Sequence, residues 1–285
     1  MIVEQIHNMT EVFFNSIYEI ENTEIPNQSN AVNQRESERN TSGHNVRGTR
    51  ISAEEWWGVS GNYPAVESLV STGWHDGVEK ANKALNALAV PRIKTVRRRK
   101  VRSDFGDHID MQAVYGGSLD KAWESTHREA GAMQQGNTVT IAVNLSAAWN
   151  VTADRMFWKG AVVTILCDEL QKSGRNIRIV GYSPQAKVYR NGGSKCVLIT
   201  LKNYQDPLNI NVLATTTALS GFFRSYIFKA IRLDENRVRS SLGIPMNNYK
   251  PNMLKEESDV VYIEDVWSQC SAQQLINKIG GQING

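Results

Sequence analysis

Asp104, Asp107, His108 and Asp110 lie within seven positions and form the most enzyme-like cluster in this sequence. Clustered carboxylates with an imidazole could hold a divalent ion, which activates water and polarises a phosphoryl oxygen, as phosphodiester cleavage requires. An Asp-rich surface turn accounts for the same residues, so a metal-dependent nuclease stands as a distant alternative. His75 beside Asp76 is a second acid–imidazole pair, but neighbours on a helix do not face each other. A turn with a capping residue is the better reading there. Gly192-Gly193-Ser194-Lys195 lacks the upstream glycine of a phosphate loop and precedes a strand, not a helix. No Gly-x-Ser-x-Gly elbow and no His-x-x-x-His pair occurs. The expectation is a non-enzymatic protein with no catalytic residues, no bound metal and no cofactor.

The segment 91–102, PRIKTVRRRKVR, is the other chemically loaded stretch. Basic and β-compatible residues alternate at its start, which predicts an edge strand. Arg97, Arg98, Arg99, Lys100 and Arg102 then concentrate positive charge that suits phosphates, and nearby tryptophans could stack on unpaired bases. The acids that follow offer the opposite outcome, local self-neutralisation. A net charge of +3 is too small to imply nucleic acid by itself.

These residues need a scaffold, and 285 residues with 41% hydrophobic content can bury a sizeable core. One large domain with appendages is expected. No apolar run approaches the roughly 20 residues of a membrane span. No basic, then apolar, leader opens the sequence, so no secretory signal is expected. Three scattered cysteines, Cys167, Cys196 and Cys270, suggest free thiols in a reducing cytoplasm. Cys167 and Cys196 read as core residues.

Ile6, Met9, Phe13, Ile17 and Ile20 recur at three- and four-residue spacing, which predicts an amphipathic helix over 1–21. Residues 22–50 are polar and predict a flexible linker. Residues 51–137 predict a helical region carrying the basic strand, with helices starting near Ser52, at 64–71, before Leu88 and over 118–130. From 138 the order becomes strand (TVTIAVN), helix to Leu170 with a stop at Ser173-Gly174, strand (NIRIVGY) and strand (KCVLITLKNY). A helix over 211–232, a strand over 259–266 and a helix over 271–279 complete the chain. That order predicts an α/β fold with a mostly parallel, Rossmann-like sheet flanked by helices.

VTIAVNLSAAWNV, the helix ending in ILCDELQKSG, and IRIVGYSPQAKV resemble a von Willebrand factor A (vWA) domain over 138–285. They are similar in particular to the vWA subunit of cobaltochelatase-type complexes. GDHIDMQAVYGGSLDKAWE also resembles vWA-like proteins of tailed phages, which implies a phage-encoded protein in the host cytoplasm. The resemblance implies a cation site opening with Asp-x-Ser-x-Ser. Asn144 and Ser146 match its first two positions and Ala148 fails the third. Thr215, Thr216 or Thr217 would supply the threonine, and Glu264 or Asp265 the distal acid. Neutral Asn144 removes the main anionic ligand, so the scaffold is expected without its ion.

The functional expectation is a non-catalytic vWA-like adaptor binding a protein partner through its strand-end loops. The resemblance implies an AAA+ ATPase as the partner class. The alternative is a factor that binds single-stranded DNA or RNA through the basic strand and recruits a polymerase.

Overall fold

The computed structural model describes residues 1–23, 44–46, 49–60, 63–86, 88, 98–103, 108–128, 138–148, 151–189, 191–233, 244–257, 259–264 and 266–284. TVTIAVN is apolar almost without interruption, a pattern that needs cover on both faces and hence a central strand. It forms that strand, labelled β8 (Thr138–Asn144), buried throughout after its first residue. Parallel neighbours flank it: β9 (Asn176–Gln185) on one side and β11 (Val260–Ile263) on the other. β10 (Ser194–Lys202) runs antiparallel to β9, and β2 (Met9–Phe14) lies parallel to β10. β1 (Ile2–Ile6) closes the edge in a hairpin with β2, giving the six-stranded order β1-β2-β10-β9-β8-β11. The fold is therefore mixed α/β, with a mostly parallel central sheet flanked by helices.

The long helix after β8 spans Ala153–Lys172 and ends as the sequence predicts. Gly174 takes φ +85°, and the Arg175 N–H donates to Leu170 O at 3.1 Å. A Cβ on Gly160 would meet the Ala218 Cα at 2.2 Å, so only glycine lets this helix touch Ile210–Ala218 backbone to backbone. Helices Tyr63–Thr72 and His75–Asn86 pack outside that pair, and Gln269–Asn284 packs on the long helix.

The two sheet faces are covered differently. Val12, Phe14, Ile141, Val143, Ile179 and Ile199 lie in the core under the helices. Ala142, Val180, Tyr182, Cys196 and Leu198 on the other face meet Met246, Tyr249, Met253 and Leu254 instead. Those residues belong to 244–257, whose only helical turn is Asn252–Leu254. Two carboxylates pin this segment. Glu11, 0% exposed, accepts from the Tyr249 hydroxyl, from Asn252 N at 2.8 Å and from Met253 N at 3.0 Å. Glu257 pairs with Arg178 and accepts from the Thr140 hydroxyl at 2.7 Å.

Five expectations are corrected. Residues 1–21 are not one helix: β1 and β2 precede a short helix, Ile17–Asn22. The helical spacing straddles a two-residue turn at His7-Asn8, with His7 at φ 54°, and the β-branched and aromatic residues of MTEVFF favour the sheet. The body accordingly does not begin at 138, because β2 is a strand of its sheet. The expected linker 22–50 contains a small hairpin, His44–Val46 with Thr49–Ile51, while 24–43 lies outside the described residues. Within 51–137, the expected helix over 118–130 is a 3-10 turn, Leu119–Lys121, followed by β7 (Trp123–Arg128). Pairing decides this: β7 is the middle strand between β5 (Arg98–Ser103) and β6 (His108–Ile109). The helix expected over 211–232 breaks at Leu219 and contains a π-helical turn, Phe223–Ile227.

Glu11→Gln would replace one acceptor oxygen by an amide donor facing donors. It should lower stability by about 2 kcal/mol. Urea denaturation would read this as a lower midpoint with unchanged slope; an unchanged midpoint would mean the carboxylate does not hold the segment.

Candidate functional site

β8 ends in Asn144, whose side chain turns back on its own loop. Asn144 Oδ1 accepts from Ser146 N at 3.0 Å and from the Ser146 hydroxyl, an Asx-type closure. Leu145 N donates to Tyr182 O at 2.7 Å, tying the loop to β9. Leu145, Ser146 and Ala147 are all buried, so this loop is a closed joint and not an open recognition surface.

The side chain that completes the joint is Lys159, which arises from the second turn of the long helix and is itself buried. Its ammonium donates to Ser146 O at 3.1 Å and lies 4.7 Å from the centroid of the Trp267 ring. A carbonyl dipole and an aromatic face both favour a cation there. The donor set does not fit a divalent metal. Asn144 is neutral with its oxygen already taken twice, Ala148 has no donor, and the Lys159 ammonium would repel a second cation.

The structure brings Asn144 and Ser146 together but leaves Thr215 out of their hydrogen-bond set. The Thr215 hydroxyl donates to Asn211 O at 2.9 Å and Leu69 O at 3.2 Å, because a threonine inside a helix can satisfy itself on the preceding turn. Thr216 and Thr217 both donate to Leu213 O. Glu264 is half-buried just past β11, and Asp265 lies outside the described residues.

A second buried cation escaped the sequence reading. Arg224, in the π-helical turn, donates to Trp56 O and Val151 O, and its guanidinium lies 3.7 Å from the Trp56 ring centroid. Burial pushes its pKa down to about 9, which still leaves it charged at neutral pH. It joins the short helix Ala53–Trp57 to the chain just beyond the strand-end loop, and Ser220 Oγ donates to the same Trp56 carbonyl at 2.8 Å.

The basic cluster lies on β5, the outer strand of the three-stranded sheet β5-β7-β6. Arg98, Arg99, Lys100 and Arg102 occupy four of its six positions, and Arg97 lies outside the described residues. Arg102 is neutralised in part by Asp110 at 2.8 Å. The other Asp110 oxygen caps the helix Met111–Tyr115 through Gln112 N and Ala113 N. Asp110 is thus committed to structure, His108 is exposed on β6, and Asp104 and Asp107 lie outside the described residues. Among the described residues, no three His, Cys, Asp or Glu side chains gather as a metal site.

No helix among the described residues is long and apolar enough to cross a membrane. The chain belongs to the family described as a domain of unknown function, DUF7192, which matches residues 3–282. No curated protein and no solved structure matches it.

Burial raises the Cys167 and Cys196 thiols far above their ordinary range, whereas Cys270 is exposed. Ellman's reagent should therefore titrate Cys270 alone in the native protein and all three thiols in denaturant. Rapid native reaction of a second thiol would contradict the packing around β10 or the long helix.

Proposed function

We propose that the protein is a non-catalytic adaptor with a vWA-like body that works without a metal ion. The observation that carries this reading is the Lys159 ammonium on Ser146 O, inside a loop where Asn144 Oδ1 is spent on the Ser146 N–H and hydroxyl. Such a loop presents neither an activated water nor an open ligand position. It supports a rigid scaffold that acts through surfaces elsewhere. The AAA+ ATPase remains a partner class implied by resemblance, as does a phage origin.

Calorimetry tests the cation-free reading. Mg²⁺ and Mn²⁺ should give no binding heat with the wild type. Asn144→Asp with Ala148→Ser should also stay silent while Lys159 is present, and adding Lys159→Met should produce measurable Mn²⁺ uptake. Micromolar uptake by the wild type, lost in Asn144→Ala, would overturn the reading.

A second reading is favoured by β5, where a cationic strand lies at a sheet edge. Arg97, Arg98, Arg99, Lys100 and Arg102 would then contact the phosphates of single-stranded DNA or RNA, with a polymerase recruited by the body. Replacing Arg98, Arg99 and Lys100 by glutamate should abolish a gel shift seen at low salt. Each lost phosphate contact should also flatten the salt dependence by a slope of about 1. Binding that ignores salt would remove phosphate contact from consideration.

A further inference from the structure

β1 is the outermost strand of the central sheet, and among the described residues no strand lies beyond it. Ile2 is 56% exposed and Val3 55%, and alternation along the strand places them on opposite faces. Proteins ordinarily guard such an edge with proline, lysine or a bulge. IVEQI contains neither proline nor lysine, and its register with β2 runs unbroken from Ile2–Phe13 to Ile6–Met9. Its sole charge is Glu4, which is exposed.

The hairpin fixes which main-chain groups of β1 are free. Ser194 N donates to Asn8 O at 2.9 Å, so Asn8 and the alternate residues Thr10 and Val12 face β10. Met9, Glu11 and Phe13 therefore face β1, and their partners Ile6, Glu4 and Ile2 spend their N–H and C=O groups on β2. Val3 and Gln5 point theirs outward. An incoming strand thus meets donors and acceptors on alternate residues, with an apolar side chain on each face of the sheet.

We infer that this edge pairs with a second copy of the chain, β1 to β1 and antiparallel, about a two-fold axis at Val3. The β1 of a second copy is already extended in its own hairpin, whereas a foreign peptide loses chain entropy on being ordered. A two-fold contact also sets the surface against its own image, which restricts the register. Centred on Glu4, it would put two carboxylates directly opposite at the closer, non-hydrogen-bonded spacing. Centred on Gln5, it would set Val3 against His7 of the turn and leave Ile2 beyond the paired strands. Centred on Val3, the two Val3 residues exchange main-chain hydrogen bonds, Ile2 lies against Glu4 of the other copy, and the two carboxylates stay apart. The two central sheets then become one. A contact this short is smaller than a standard interface, so the dimer is reversible.

Sedimentation equilibrium on the full chain should show monomer and dimer exchanging with concentration. Val3→Pro removes an outward N–H and leaves the β1–β2 hydrogen bonds in place, so it should keep the chain monomeric with an unchanged circular dichroism spectrum. The register is read by cross-linking in a Cys270→Ser background. Val3→Cys should oxidise to a disulfide-linked dimer. Glu4→Cys should not, because this register holds the two Glu4 Cα atoms farther apart than the roughly 7 Å a disulfide spans. Cross-linking through Glu4→Cys alone would overturn the register, and a monomer at every concentration up to about 1 mM would overturn the pairing itself. So would assembly that grows past the dimer, as β1 joined to β11 of the next copy would give, or self-association that Tyr115→Ser abolishes and Val3→Pro does not. The adaptor reading is independent of these outcomes, since it falls separately on the cation titration.

Discussion

One face of the central sheet has helices to cover it and the other has an irregular segment, and this imbalance governs the rest of the molecule. Helices bury a face by volume alone. An irregular segment brings unpaired backbone N–H groups with it, and each must find an acceptor in a dry place. Glu11 supplies that acceptor, and Glu257 of the segment itself ties it to the sheet through the Thr140 hydroxyl and Arg178. A fully buried carboxylate is ordinarily costly, and here three donors and a hydroxyl offset the cost.

The same logic runs in reverse for the buried cations. Lys159, Arg224, Lys195 and Lys202 are all buried, and each donates to main-chain carbonyls. Lys195 takes the Ala230 and Ile231 carbonyls, where the end of a helix presents partial negative charge. Lys202 bridges Ile177 O and Asn203 O at 2.8 Å each. Cations in this protein serve as internal ties between strands, loops and helix ends. This gives the strand-end loop its character, because the position a metal would need already has an ammonium beside it.

The sequence made the centre of the fold legible and its edges illegible. TVTIAVN, the helix ending at Gly174, NIRIVGY and KCVLITLKNY are continuous apolar runs bounded by turn signals, so their state follows from burial. β7 was hidden because DKAWESTHRE has the composition of a helix, and only pairing with β5 and β6 makes it a strand. The first hairpin was hidden because its turn, His7-Asn8, lacks the glycine that usually marks one. Of the candidate site, Asn144 and Ser146 could be located from their spacing after β8. Lys159 and Glu11 could not, since a charged residue in an apolar element reads as solvent-facing until its carbonyl or N–H partners are known.

The pairing of β2 with β10 sets Met9 through Phe14 against residues 194–199. A parallel strand gains nothing until its neighbour is in place, so the first hairpin must wait for most of the chain before it can settle. Alone, a two-stranded hairpin is marginal in water, so β10 is what holds β1 and β2 in the sheet. That edge of the sheet therefore depends on segments far apart in sequence, and until β10 is in place the apolar residues of β2 are exposed to wrong pairing.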